Sequence, residues 1–153
     1  MDNRITMRDS IEIWKRPQDV FVFVSDGSND PKWRTEVDRM DVSGPVKLGT
    51  EWIEYSTFFK WFHTVTPVSV KELDPPKRVV VETPDEHPAW LRSVREVQAI
   101  DQRSRFAYEL AFDLVTFKQI TPVLPPGWLV AKWYIRRIRR YLQNAKRILE
   151  TGE

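Results

Sequence analysis

Four side chains in the middle of this chain are weighed as acid–base candidates: His63, His87, Glu54 and Glu96. A histidine is suited to proton transfer near neutral pH. His63 has no Asp or Ser at a diagnostic spacing, and His87, in Asp85-Glu86-His87-Pro88, reads as a surface residue. Glu54 and Glu96 would form an acid–base pair only if both pointed inward, and the hairpin register preferred below turns Glu96 outward. Arg95 is the sharpest polar feature. An inward guanidinium stays charged and must be paired. Its partner is either an oxygen of a ligand carboxylate, phosphate or enolate, or an internal carboxylate. No catalytic residue is assigned from these patterns.

Other chemistries lack their residues. The sequence has no cysteine, so thiol catalysis, a disulfide frame and a thiolate metal site are not expected. The two histidines stand outside any ligand-spacing motif and there is no Gly-rich phosphate loop, so neither a metal nor a cofactor is expected. Net charge is +2, which gives no overall field for nucleic acid. The 153 residues suit one domain, 1–153, with one core. Seven Trp, eight Phe and four Tyr are many for that length, and large aromatics line apolar pockets as well as filling cores. The N-terminal MDNRITMRDS carries no apolar run of the signal-peptide kind, and no segment approaches ~20 apolar residues. The expected setting is cytoplasmic.

The elements that must position these residues are legible in outline. Residues 128–151 contain no Gly or Pro and place Val130, Tyr134, Ile138, Tyr141, Ala145 and Ile148 on one helical line. Lys132, Arg136, Arg139, Arg140, Lys146 and Arg147 fall opposite. Pro122, Pro125, Pro126 and Gly127 supply the start signals and Gly152 the stop. Residues 5–14 read as a strand. Pro17 opens a short helix to residue 24, and Asp30-Pro31-Lys32-Trp33 is a second helical turn with Asp30 as its cap.

Strands follow over 37–42, from 49 with a turn inside 58–62, on to 73, then 78–83, 89–100 and 103–114. In the last strand Phe106, Tyr108, Leu110, Phe112 and Leu114 alternate with polar or small residues, so one face is buried. A two-residue turn at Asp101-Gln102 sets Arg95 opposite Tyr108 and points it inward; a three-residue turn reverses the parity. The faces of residues 51–57 are left open, since both alternations carry a carboxylate.

Strand, two short helices, about six strands and a long helix make an α+β domain. That order resembles the helix-grip fold of the START and birch-pollen-allergen superfamily, in its bacterial polyketide cyclase/dehydrase and lipid transport (SRPBCC) branch. The similarity is carried by Ile11-Glu12-Ile13-Trp14-Lys15-Arg16-Pro17-Gln18-Asp19-Val20-Phe21, Asp30-Pro31-Lys32-Trp33 and Gly49-Thr50-Glu51-Trp52. It continues in Glu72-Leu73-Asp74-Pro75-Pro76-Lys77-Arg78 and in the ending Leu142-Gln143-Asn144-Ala145-Lys146-Arg147-Ile148-Leu149-Glu150. The chain departs from the usual pattern at the last hairpin turn, Asp101-Gln102-Arg103-Ser104, and in the aromatic turn 58–62.

The resemblance implies a curved antiparallel sheet of about seven strands wrapped around the long helix, with an apolar cavity between them. Residues placed in that cavity are Tyr55, Arg95, Phe106, Tyr108, Leu110, Phe112, Tyr134 and Ile138, with Phe59, Trp61, Trp90 and Trp128 at its mouth. The first reading is a carrier or sensor of a lipophilic small molecule such as a lipid, quinone or polyketide. An aromatase/cyclase-type enzyme using Arg95, Tyr108 and His63 is the second reading, and a protein-interaction module the third. The aromatic mouth with cations behind it suits a peripheral membrane contact, a homodimer interface, or a lid folded back into the cavity.

Overall fold

The structure is a computed structural model that describes residues 3–119 and 123–153. Pro122, one of the expected helix-start signals, lies outside them. Strand β1, Arg4–Ile13, leads into helix α1, Pro17–Ser25. Pro17 supplies a preset φ where the N–H would have no partner in any case. A 3-10 turn, Gly27–Asn29, joins α1 to the short α2, Asp30–Trp33. Strands β2, Val37–Val42, β3, Glu51–Phe58, β4, Phe62–Asp74, β5, Arg78–Glu82, β6, Leu91–Ile100, and β7, Arg103–Asp113, follow. A 3-10 stretch, Leu114–Gln119, and helix α3, Gly127–Thr151, complete the order. The 3-10 stretch falls where a simple strand end was expected.

The seven strands form one antiparallel sheet in the order β1-β7-β6-β5-β4-β3-β2. Its concave face holds α3, which at 25 residues is about 37 Å long. Val130, Tyr134, Ile138, Tyr141, Leu142 and Ala145 are the buried stripe of α3, on the face the helical spacing predicts. The stripe meets Phe106, Tyr108, Leu110 and Phe112 of β7 within one core. Gly152 ends the helix in the left-handed conformation, at φ 79°, and its N–H closes on the Ile148 carbonyl at 2.7 Å.

The β6–β7 register is the one a two-residue turn requires, with Arg95 opposite Tyr108 and Leu91 opposite Phe112. Asp101 takes the turn with φ 52°, a conformation Asp tolerates better than most residues. The tip of the β3–β4 hairpin is less accommodating. Phe59 and Lys60 both have positive φ, 56° and 68°, in a turn that Asn-Gly would fill without strain.

Two details of this frame position the site. Asp30 is not the cap of α2: Asn29 stands at the cap position, and the Asp30 carboxylate turns into the core to meet Arg34 and Arg95. Strand β4 pairs with β5 only over 69–74, so among the described residues its first half pairs with β3 alone. The free edge of residues 62–68 faces an opening in the sheet, and the connection between β5 and β6 covers that opening.

Candidate functional site

The opening leads into a cavity of about 300 Å³. Its apolar wall is Phe58, Phe62, Leu91, Phe112, Phe117, Trp133 and Tyr134. Phe59, Pro88, Ala89 and Trp90 stand at the rim, and Thr64, Thr66 and His87 add polar edges. The aromatic wall is self-supporting. Phe112 stacks on Phe117 with centroids 5.7 Å apart and tilts against Tyr134 at 5.4 Å, while Trp133 meets Tyr134 edge-on at 5.4 Å. Trp90 is held by its indole N–H, which donates to Glu82 at 2.7 Å, and by the Arg4 guanidinium 4.0 Å from its ring.

The lining also holds the buried Arg34 and the half-buried Glu54. Arg34 Nη1 lies 2.6 Å from Glu54 Oε1 and 3.0 Å from Asp30 Oδ2. On the far side of Asp30, Arg95 makes a two-pronged contact at 2.7 and 2.6 Å and donates to the Val24 carbonyl at 2.8 Å. Glu36 joins from the other flank, 3.7 Å from Arg34 and 3.7 Å from Arg137. It accepts from Tyr134 at 3.4 Å and from Tyr141. Three carboxylates are thus set against Arg34, Arg95 and the half-buried Arg137.

Burial works against the Arg34 charge. Glu54, with Tyr108, Asp30 and Glu36 after it, more than offsets that and holds its pKa well above the ordinary value. Burial raises the Tyr134 and Tyr141 phenols well above theirs, with Glu36 adding to the effect in both. Arg34 Nε, Glu36 Oε2 and the indole nitrogens of Trp33 and Trp52 are buried without a hydrogen-bond partner among the described residues.

The residues expected from sequence separate into groups. Phe112, Tyr134, Phe59 and Trp90 line the cavity. Phe106, Tyr108, Leu110 and Ile138 are buried in the core and do not reach its surface. Arg95 does face inward, yet Asp30 and the Val24 carbonyl occupy its guanidinium, and the rings of Trp33, Trp52 and Tyr108 surround it at 5.0, 5.3 and 5.7 Å. It bolts α2 to β6 and is not part of the lining. Tyr55 stands on the outer face of the sheet, under the Arg39 guanidinium at 4.0 Å, because Trp52 and Ser56 take the inward alternation. Trp61 and Trp128 are exposed.

His63 lies on the outward alternation of β4, at the cavity edge. The Thr57 hydroxyl donates to Asp38 and lies 2.9 Å from His63 Nδ1. That arrangement makes Nδ1 the donor. His87 is half-buried and lines the cavity as well, with Nδ1 3.1 Å from the Ala89 N–H. The residues that sequence reasoning missed are Arg34, Glu36 and Asp30. A charged triplet beside a short helix was the available signal, but only the fold shows which charges meet.

A curved antiparallel sheet closed by a long C-terminal helix, with a cavity between them, defines the helix-grip class of ligand-binding folds. Within it, the chain belongs to the family described as polyketide cyclase / dehydrase and lipid transport, whose model matches residues 4–150. Among solved structures, a START superfamily protein from Mycobacterium smegmatis is similar at 10% identity and a TM-score of 0.76, over 97% of this chain and 99% of that one. TTHA0849 from Thermus thermophilus gives 14% identity and a TM-score of 0.76, over 97% and 99%. The di-domain ARO/CYC BexL from the BE-7585A biosynthetic pathway gives 14% and 0.73, with 97% of this chain matching 51% of that one. Among curated proteins, none matches the sequence significantly.

Proposed function

We propose that the chain binds a compact lipophilic molecule in this cavity, as a carrier or sensor, and selects one with a neutral oxygen-bearing group. The observation that carries the reading is an aromatic cavity whose charged wall is an already paired Arg34–Glu54 couple. About 300 Å³ is at the lower end of small-molecule sites, which suits a fused-ring or short-chain ligand better than two long acyl chains. The charge balance sets the polar preference. With Asp30, Glu36 and Glu54 already facing the available arginines, a ligand carboxylate would enter beside Glu54 with no free cation to meet it. A ketone, quinone or phenol oxygen brings no charge beside Glu54 and enters at no such cost.

The test is titration with 1,4-naphthoquinone, a flavone and a fatty acid of matched size, beside native mass spectrometry of the purified protein. The neutral aromatic probes are expected to bind and the fatty acid to bind less well. Phe112→Ala is expected to weaken the neutral probes, while Ala107→Ser on the outer side of β7 leaves them unchanged. Failure of every apolar probe to bind the folded protein would reject the reading.

A cyclase-type reaction is the second reading, and His63 favours it. Its ring is held at the cavity edge through Nδ1 by Thr57 and Asp38, and a positioned imidazole is the commonest general acid or base. Turnover of a linear poly-ketone that is lost in His63→Asn, with binding retained, would support it.

A further inference from the structure

The cavity rim carries a second feature that does not depend on what the cavity holds. We propose that it is a docking surface for an anionic lipid bilayer. The tip of the β3–β4 hairpin and the first two turns of α3 form one continuous patch. Phe59 stacks on Trp133 at 5.5 Å with an interplanar angle of 27°, which joins the hairpin to the helix. On the helix, residues 128, 129, 132, 133 and 136 fall within an arc of roughly 140° at 100° per residue. The patch leaves large apolar groups in solvent: Trp61 is 62% exposed, Trp128 70%, Leu129 47% and Phe59 45%.

The charge on this patch has one sign. Residues 55–71 and 114–149, which supply it, contain no Asp or Glu. Lys60, Lys132 and Arg136 are exposed and have no acidic partner among the described residues. Farther along α3, Arg139 is paired with Asp9 and Lys146 with Glu150, while Arg140 and Arg147 have no acidic side-chain partner among the described residues. Exposed acids stand at the borders of the patch: Asp38, which accepts from Thr57 at the base of the hairpin, and Asp85 and Glu86 in the connection between β5 and β6. The hairpin also holds Phe59 and Lys60 in the left-handed region that Asn and Gly occupy freely. Strained positions of this kind persist where the side chain is needed in place.

The patch chemistry selects its occupant. Indole and aliphatic groups beside unpaired cations are what an interfacial segment places among lipid headgroups. A two-fold dimer through the same surface would bring Lys60, Lys132 and Arg136 against their own copies, a like-charge contact. A single-stranded polynucleotide would use flat aromatic faces, whereas the Phe59 ring here is stacked on Trp133.

The experiment is co-sedimentation with vesicles of phosphatidylcholine and phosphatidylglycerol, and of phosphatidylcholine alone, at low and high salt. Binding to the anionic vesicles is expected, with screening loss at high salt. Trp61→Ser and Trp128→Ser are each expected to weaken it by about tenfold. Lys132→Glu with Arg136→Glu should weaken it at low salt with unchanged circular dichroism. Val22→Ser, an exposed apolar site on α1, is expected to leave binding unchanged. A folded monomer that stays in the supernatant with anionic vesicles overturns the proposal. So does a dimer in solution that Trp61→Ser dissociates, or polyuridine binding with no vesicle binding. Loss of vesicle binding with neutral-ligand titration intact, or the reverse, separates this surface from the cavity reading.

Discussion

At the scale of single residues, Asp30 has the largest consequence for its size. One carboxylate bridges Arg34 on its own helix end and Arg95 on β6, and all three groups are almost fully buried. Asp30→Asn is therefore expected to leave buried guanidiniums short of charge and to cost about 3–5 kcal/mol. A shift in the urea unfolding midpoint at unchanged slope checks it, and a variant as stable as the parent would remove Asp30 from this role. The sequence pattern placed Arg95 inward correctly, because alternation and a two-residue turn decide the face. It could not supply the partner: Asp-Pro at the head of a helix has the composition of a cap, and the arginine it meets is 65 residues away. Glu54 was undecidable for a related reason, since its strand carries a carboxylate on each face. Only the packing of Trp52 settles that Glu54 shares the inward side.

At the scale of elements, two contacts set how tightly the frame closes. Gly27, in the turn between α1 and α2, lies under the Trp52 indole, and a Cβ there would come within 2.6 Å of the ring. Gly27→Ala is expected to force the buried indole aside and to destabilise by about 1–3 kcal/mol, read as a lower thermal midpoint. The β3–β4 hairpin is predicted to behave in the opposite sense. Replacing Phe59-Lys60 by Asn-Gly relieves two left-handed positions and should raise stability by about 1–2 kcal/mol. The same change removes Phe59 from Trp133 and should lower vesicle binding. An Asn-Gly hairpin that gains nothing in thermal stability would mean the turn is unstrained. Strands, helices and their order were readable because periods of 2 and 3.6 residues are local. The gap beside residues 62–68 was not, because it depends on β5 being too short to follow β4 to its start.

At the scale of the whole molecule, one buried network ties the layers together. Tyr134 and Tyr141 come from α3, Arg34 and Asp30 from the α2 region, Glu36 from the approach to β2, Glu54 from β3 and Arg95 from β6. Its phenols give the fold a pH signature. Burial raises Tyr108, Tyr134 and Tyr141, the last two well above the ordinary phenol value; at Tyr108, Arg34 and Arg95 pull the other way without cancelling the effect. A group whose folded pKa is raised contributes stability that is fully present below its unfolded value. That contribution is lost as pH rises through the folded value. Stability should therefore hold to about pH 10, the unfolded phenol value, and fall steadily above it. The buried phenols should ionise only as the fold opens, so their phenolate absorbance should rise together with loss of near-ultraviolet circular dichroism. Tyr141→Phe should remove one phenol from that joint transition, at the further cost of a hydrogen bond to Glu36. Phenolate absorbance from all four tyrosines while the native circular dichroism persists would show that the network is open to solvent, and that α3 does not seal the sheet as described.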